Sequence, residues 1–195
     1  MDKNINPFKI FGEWYEEAKI SEPSVPNALA LGTVSNSGMP STRMVLLKDW
    51  TEEGFVFYTN FKSRKGIHIK GNNKASMLFH WKSLDKQVRI EGNVKEVLPE
   101  EADAYFSTRP RTSQIGAWAS KQSRALESIY SLERAVAKYA IKFPIGDVPR
   151  PPHWSGFRIS PELMEFWEQG NYRLHKRQQF IKSENGVWQK EMLYP

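Results

Sequence analysis

The chain has 195 residues, 39% hydrophobic, 26% charged and 13% aromatic, enough for a substantial core and too apolar for a disordered polymer. It contains no cysteine, which excludes disulfides, thiolate metal sites, iron–sulfur clusters and cysteine nucleophiles and suits a reducing, cytoplasmic location. A net charge of +6 and a pI near 9.4 fit an anionic partner, either nucleic acid or a small phosphorylated ligand, or simply a solvated basic surface.

Met1 to Pro7 holds no apolar run of signal-peptide length, and no later stretch reaches the ~20 apolar residues of a membrane span. Residues 6–20 space Phe8, Phe11, Trp14, Tyr15 and Ala18 as one face of a helix, and a proline-containing loop from Ser21 to Pro26 ends it. From Ala28 the pattern becomes short strands separated by turn signals. ALALGTV, STRMVLLKDW and FVFYTN, divided by Asn36-Ser37-Gly38 and Thr51 to Gly54, predict a three-stranded meander.

Ser63 to Lys70 predicts a short helix, and strands follow at 75–81 and 87–97. Pro99-Glu100-Glu101 reads as a helix start, with proline first and acids in the first turn. Pro110 breaks any helix running from Tyr105 to Ser113, so a new helix is predicted over 113–120. Leu126, Ile129, Leu132, Val136, Ala140 and Phe143 predict an amphipathic helix over 123–143, with Ser123 as a candidate cap. A proline-rich loop, 144–152, precedes strands at 154–160, 163–168, 172–181 and 187–193. The absence of βαβ alternation points to a mainly β, α+β fold: an antiparallel barrel with peripheral helices, in one domain over 1–195.

Several chemistries leave no trace. There is no Gly-rich dinucleotide fingerprint, Walker loop or nucleophile elbow. The four histidines, His68, His80, His153 and His175, do not pair at metal-ligand spacing. An enzyme built this way would borrow its chemistry from an organic cofactor.

Four constellations carry the positive evidence. In a regular strand, Arg173, His175 and Arg177 share one face while Leu174 and Lys176 share the other. Two guanidiniums flanking an imidazole suit a planar anionic ligand, although a basic edge strand that resists aggregation gives the same pattern. Arg43-Met44-Val45-Leu46-Leu47-Lys48 is an apolar strand bracketed by cations of opposite parity, so the two serve different ligands or a bulge re-aims one. Ser63-Arg64-Lys65 opens a helix whose N–H groups favour phosphate. Tyr105, Arg109 and Ser113 can converge on one phosphate across the Pro110 turn.

Together these segments resemble the pyridoxine (pyridoxamine) 5′-phosphate oxidase family from Asn6 to Pro195. The densest match is Glu165-Phe166-Trp167-Glu168 followed by Arg173-Leu174-His175-Lys176-Arg177, supported by RMVLLK (43–48), FYTN (57–60), SRK (63–65), TRPRTSQIGAW (108–118) and SKQS (120–123). The resemblance implies a homodimer of FMN-binding split barrels with two FMN sites at the interface and a C-terminal oxidase segment over about 154–195. FMN would contact Arg43, Met44, Val45, Leu46, Leu47, Lys48, Tyr58, Thr59, Arg64, Lys65 and Gln87. Gln122, Ser123, Trp167 and Arg177 would complete the flavin site, partly from the second subunit. Lys48, Tyr105, Arg109 and Ser113 would hold the substrate phosphate, with Arg173, Leu174 and His175 over the pyridine ring and Arg173 and His175 catalytic.

The implied reaction oxidises pyridoxine or pyridoxamine 5′-phosphate to pyridoxal 5′-phosphate, with molecular oxygen as acceptor and hydrogen peroxide as product. The family resemblance implies no metal, nucleic-acid or membrane partner. Two departures stand out: Met192-Leu193-Tyr194-Pro195 replaces an Arg-Leu-x-Pro ending, and the segment before Asn6 lacks the Arg- and Tyr-containing lid of many relatives, which predicts weaker substrate retention. The rivals are a split-barrel flavin oxidase acting on a phenazine-type ring and a basic barrel that binds nucleic acid.

Overall fold

A computed structural model describes residues 6–195; the expectations about the segment ahead of Asn6 lie outside those residues. Helix α1 (Pro7–Ser21) starts where Pro7 supplies a pre-set φ and the Asn6 side chain accepts a hydrogen bond from the Phe8 N–H at 3.0 Å. It buries Phe8, Phe11 and Ala18. Phe11 is the hub of an aromatic cluster, with ring centroids 4.8 Å from Phe55, 5.0 Å from Trp50 and 5.4 Å from Phe79. Truncating such a fully buried ring costs about 3–5 kcal/mol, so α1 closes the core.

Among the described residues, nine strands form one curled, antiparallel sheet: β1 (Ala28–Val34), β2 (Pro40–Leu46), β3 (Asp49–Thr51), β4 (Gly54–Asn60), β5 (Lys74–Trp81), β6 (Lys86–Glu96), β7 (Trp154–Glu168), β8 (Lys176–Lys182) and β9 (Trp188–Leu193). Their path runs β2-β1-β5-β6-β7-β4-β3, with β8 and β9 added beside β7. Alternation places Leu29 and Leu31 of β1, Met77, Phe79 and Trp81 of β5, and Val88 and Ile90 of β6 in a common core. Strand β4 is apolar on both faces for a reason. Phe55 and Phe57 face that core, while Val56 and Tyr58 meet Val97 and Ala102 beneath helix α3 (Pro99–Ser107).

Four sequence expectations need correction. The three-stranded meander does not form: STRMVLLKDW divides into β2 and β3, and β4 pairs with β3 and β7 rather than with β2. The strands predicted at 154–160 and 163–168 are one 15-residue strand, β7. It stays continuous through a bulge of its own: Glu91 and Gly92 of β6 face Leu163 and Pro161, leaving Glu162 as the extra residue of β7, and a Cβ on Gly92 would lie 2.1 Å from the Ser160 carbonyl. The helix predicted from Ser123 is α5 (Ile129–Lys142), capped by Ser128 rather than by Ser123, whose φ is +67°. It rests on α4 (Arg111–Ala119) through a cluster containing Trp118, Tyr139 and Phe143, leaving Leu126, Ile129, Leu132 and Val136 exposed.

The strand predicted from Tyr172 begins at Lys176. Residues 171–173 form a tight turn in which Tyr172 and Arg173 have φ of +56° and +64°. Period-two alternation therefore does not apply to Arg173, and it does not share a strand face with His175 and Arg177. Among the described residues, no helix is long and apolar enough to cross a membrane.

Candidate active site

A cleft of about 1160 Å³ opens where the end of β2, the end of β4, the start of helix α2 (Arg64–Gly71) and the α3–α4 corner meet. Pockets for ordinary small ligands run about 300–1,000 Å³, so this one has room for more than one ligand. Arg43, Met44, Val45, Leu46, Lys48, Tyr58, Thr59, Arg64, Lys65, Tyr105, Arg109, Ser113, Gln122 and Ser123 all line it. Arg43 and Lys48, of opposite parity, reach the same cleft because regular pairing stops at Leu46 and the chain turns before β3. Leu47 is the exception. Its side chain is 3% exposed in the core, so only its backbone is left to face a ligand.

The cations fall into two groups. In the first, Arg43 is pinned by the Leu31 carbonyl (3.0 Å), the Thr33 hydroxyl (2.7 Å) and the Ser41 hydroxyl (2.8 Å), all neutral acceptors. Lys65 is likewise held by Thr59 (3.1 Å), Ser63 (3.3 Å) and the Gln122 amide oxygen (3.3 Å). Burial, and then the charge of Arg43, pull the Lys65 amine down to about 8. Burial and the neighbouring Arg64 lower Arg43 as well. Ser63 caps α2 by accepting from the Gly66 N–H at 3.4 Å.

The second group is built on stacked rings. Tyr58 lies parallel to Tyr105 at 4.1 Å and to Trp154 at 5.3 Å. Arg109 sits 4.7 Å over the Trp154 ring, and Lys48 sits 5.9 Å from the Tyr105 ring. Burial, reinforced by Glu101 and Asp49, pushes the Tyr58 phenol up to about 12, so it remains a hydrogen-bond donor. Burial lowers Arg109, and its Nη1 is buried without a hydrogen-bond partner among the described residues. A buried donor left unmet costs about 1–3 kcal/mol, a cost that a bound acceptor removes. No Asp or Glu among the described residues lines the cleft.

The remaining predicted residues lie elsewhere. Gln87, Trp167 and Arg177 line a second cavity of about 340 Å³ with Leu78, Arg89, Glu165 and Pro195. They form a row across three strands, Gln87 opposite Trp167 and Trp167 opposite Arg177. Arg173, Leu174 and His175 belong to the adjoining turn and line neither cavity. His175 tilts against Trp167 at 4.7 Å, and its Nδ1 accepts from the Gly170 N–H at 3.3 Å. The neutral ring therefore carries its proton on Nε2, as a donor. Met192 is exposed on β9 opposite Gln178.

Residues 18–143 match the family model described as pyridoxamine 5′-phosphate oxidase, and residues 154–195 match that of the pyridoxine 5′-phosphate oxidase C-terminal dimerisation region. The chain belongs to the pyridoxamine 5′-phosphate oxidase family. It is 58% identical over 190 residues to the pyridoxine/pyridoxamine 5′-phosphate oxidase of Rhizobium etli, covering 97% of this chain and 92% of that protein. It is 57% identical over 194 residues to the enzyme of the same name from Brucella canis, covering 99% and 96%.

Among solved structures, PhzG from Burkholderia lata, in complex with tetrahydrophenazine-1-carboxylic acid, superposes with a TM-score of 0.92 at 29% identity, covering 100% of this chain and 95% of that one. A pyridoxamine 5′-phosphate oxidase-related, FMN-binding protein from Nostoc punctiforme gives 0.78 at 15% identity, covering 98% and 100%, and shares the fold. The sheet is thus the FMN-binding split barrel of this oxidase family. Sequence reasoning passed over Trp154, the floor beneath Tyr58 and Arg109. It has no motif around it, and only the long-range pairing of Asn60 with Trp154 brings it there.

Proposed function

We propose that this oxidase binds FMN and converts pyridoxine or pyridoxamine 5′-phosphate to pyridoxal 5′-phosphate. The observation that carries the reading is one cleft with two cation groups and no lining carboxylate, which suits two phosphate esters at once. Arg43, Arg64 and Lys65 would take the flavin phosphate. Lys48, Tyr105, Arg109 and Ser113 would take the substrate phosphate, giving the orphaned Arg109 Nη1 its partner. FMN, when bound, supplies the hydride acceptor at N5 for the substrate C4′ and passes the electrons to oxygen as hydrogen peroxide. The protein's share is placement, exclusion of water and donation from Arg173 and the His175 Nε2–H.

The working unit is a homodimer with two composite sites. Trp154 in the first cleft and Trp167 in the second cavity stand at opposite ends of β7. At ~3.3 Å per residue they are on the order of 40 Å apart along the strand. That separation is long for one FMN, and in this reading a second copy brings its Gln87, Trp167, Arg177 and the Arg173–His175 turn to the first cleft. The match of residues 154–195 to a dimerisation region supports this arrangement. A cysteine-free chain fits the cytoplasm.

The test is oxygen-dependent conversion of each phosphorylated vitamer by flavin-loaded protein, followed by formation of the aldehyde. Aldehyde with stoichiometric peroxide is expected. A yellow, FMN-loaded protein inactive on both vitamers, but active on a dihydrophenazine carboxylate, would replace the substrate assignment.

A further inference from the structure

Glu165, 5% exposed on β7, has no role in the reading above, yet it organises the wall of the second cavity. Its Oε1 accepts from Nε of Arg177 at 2.8 Å, and Nη2 of the same guanidinium lies 2.7 Å from that oxygen as an ion-pair contact. Its Oε2 accepts from Nε (3.1 Å) and Nη2 (2.6 Å) of Arg89, the residue directly opposite on β6. The Arg177 Nη1 donates to the Tyr194 carbonyl at 2.9 Å. Of the five guanidinium N–H groups, those used are the one on Nε and one on Nη1, leaving at least one on each terminal nitrogen of Arg177.

Charge balance separates this arginine from those of the first cleft. Arg43 is held only by neutral acceptors, so its charge stays available to an anion. The Glu165 carboxylate is shared between Arg177 and Arg89, and Arg89 is also paired with Glu91, so two carboxylates balance the two guanidiniums; the contacts of Nε and Nη2 to one Glu165 oxygen fix the plane of Arg177. A compensated guanidinium with two free N–H groups suits a neutral carbonyl or ring nitrogen better than a phosphate.

We propose that Glu165 is a positioning residue for flavin binding: through its fork to Arg177 it holds two N–H groups for the neutral acceptors of the flavin ring rather than for the phosphate. The proposal rests on the assignment of Arg177 to the flavin site. Its probes are FMN and riboflavin, which share the ring and differ in the phosphate, titrated into flavin-free protein by quenching of flavin fluorescence.

Glu165→Gln and Arg177→Met should each weaken both ligands by about tenfold or more, and the double variant should be no worse than Arg177→Met. Lys65→Met should weaken FMN and leave riboflavin unchanged. Additive losses from Glu165→Gln and Arg177→Met, or losses confined to FMN, would overturn the proposal. Unchanged affinity in Arg177→Met would instead remove Arg177 from the flavin site and with it the underlying assignment. Circular dichroism checks that each variant folds. Should Glu165→Gln not fold, Arg177→Lys stands in, because it keeps the charge without the fork. It should match Arg177→Met, and wild-type affinity would refute the positioning role.

Discussion

Replacing Lys65 with methionine should make the flavin-free protein more stable at neutral pH while weakening its hold on FMN. Lys65 is 8% exposed, and its amine hydrogen-bonds only neutral oxygens and is lowered from its ordinary 10.5 to about 8 by burial and by Arg43. Each pKa unit is worth about 1.4 kcal/mol, so keeping the amine charged costs the folded apoprotein about 3 kcal/mol. Methionine removes that cost and forfeits hydrogen bonds to Thr59, Ser63 and Gln122, a loss of about 1 kcal/mol. The expected net gain at pH 7 is about 2 kcal/mol.

The sign of the pH dependence follows from proton binding. Between about 8 and 10.5 the unfolded Lys65 holds a proton that the folded one has released, so wild-type stability rises with pH across that window. The variant's advantage should shrink above pH 8 and reverse by about pH 10. Urea unfolding of both flavin-free proteins at pH 7, 9 and 10 measures it, and taking the difference cancels other titrating groups. A variant less stable at pH 7, or a difference that does not change with pH, would refute the reasoning. At one FMN concentration between the two dissociation constants, the wild type should gain more stability than the variant.

Arg109→Met should raise KM for pyridoxine 5′-phosphate by about tenfold or more with FMN affinity intact; because Nη1 is orphaned, the flavin-free variant should be no less stable, as thermal unfolding will show. Gly170→Ala would set a Cβ 2.1 Å from the Leu174 carbonyl and force open the turn that carries Arg173 and His175. Turnover should fall by about tenfold or more without flavin loss, and wild-type turnover would show that the turn's shape is immaterial. Glu165 is pushed up by burial but pulled further down by its bonds to Arg89 and Arg177, ending below its ordinary 4.5. The stability this carboxylate contributes is present above about pH 4.5 and lost as pH falls through the lower folded value. The difference between wild type and Glu165→Gln should therefore shrink in urea unfolding below pH 4.

The parts of the fold legible in the sequence were those governed by local rules. Alternation in ALALGTV and the apolar spacing from Phe8 to Ala18 placed β1 and α1 within a residue or two. Pro110 correctly divided α3 from α4, and Tyr105, Arg109 and Ser113 do converge across that corner. What was hidden depends on distant partners or unusual backbone. Nothing in Tyr172-Arg173 announces two left-handed residues, so a strand was expected where a turn stands. The periodicity from Leu126 to Val136 implied a buried face that in one chain is exposed. The split of the motif residues between two cavities follows from strand order, and Glu165 gains meaning only once Arg89 and Arg177 are seen on either side of it.

The length of β7 has a consequence for mixed populations. In the two-copy arrangement proposed above, each site draws its cationic cleft from one chain and its Trp167–Arg177 wall from the other. A chain disabled at Lys65 and a chain disabled at Arg177 are then damaged in different halves of the same machine. Unfolded together and refolded at equal amounts, half of the pairs would be hybrids, and each hybrid would hold one doubly damaged site and one with no defect at all. Two inactive preparations would thus recover about a quarter of wild-type activity on mixing. Such rescue belongs to a strand that serves two different sites at its two ends.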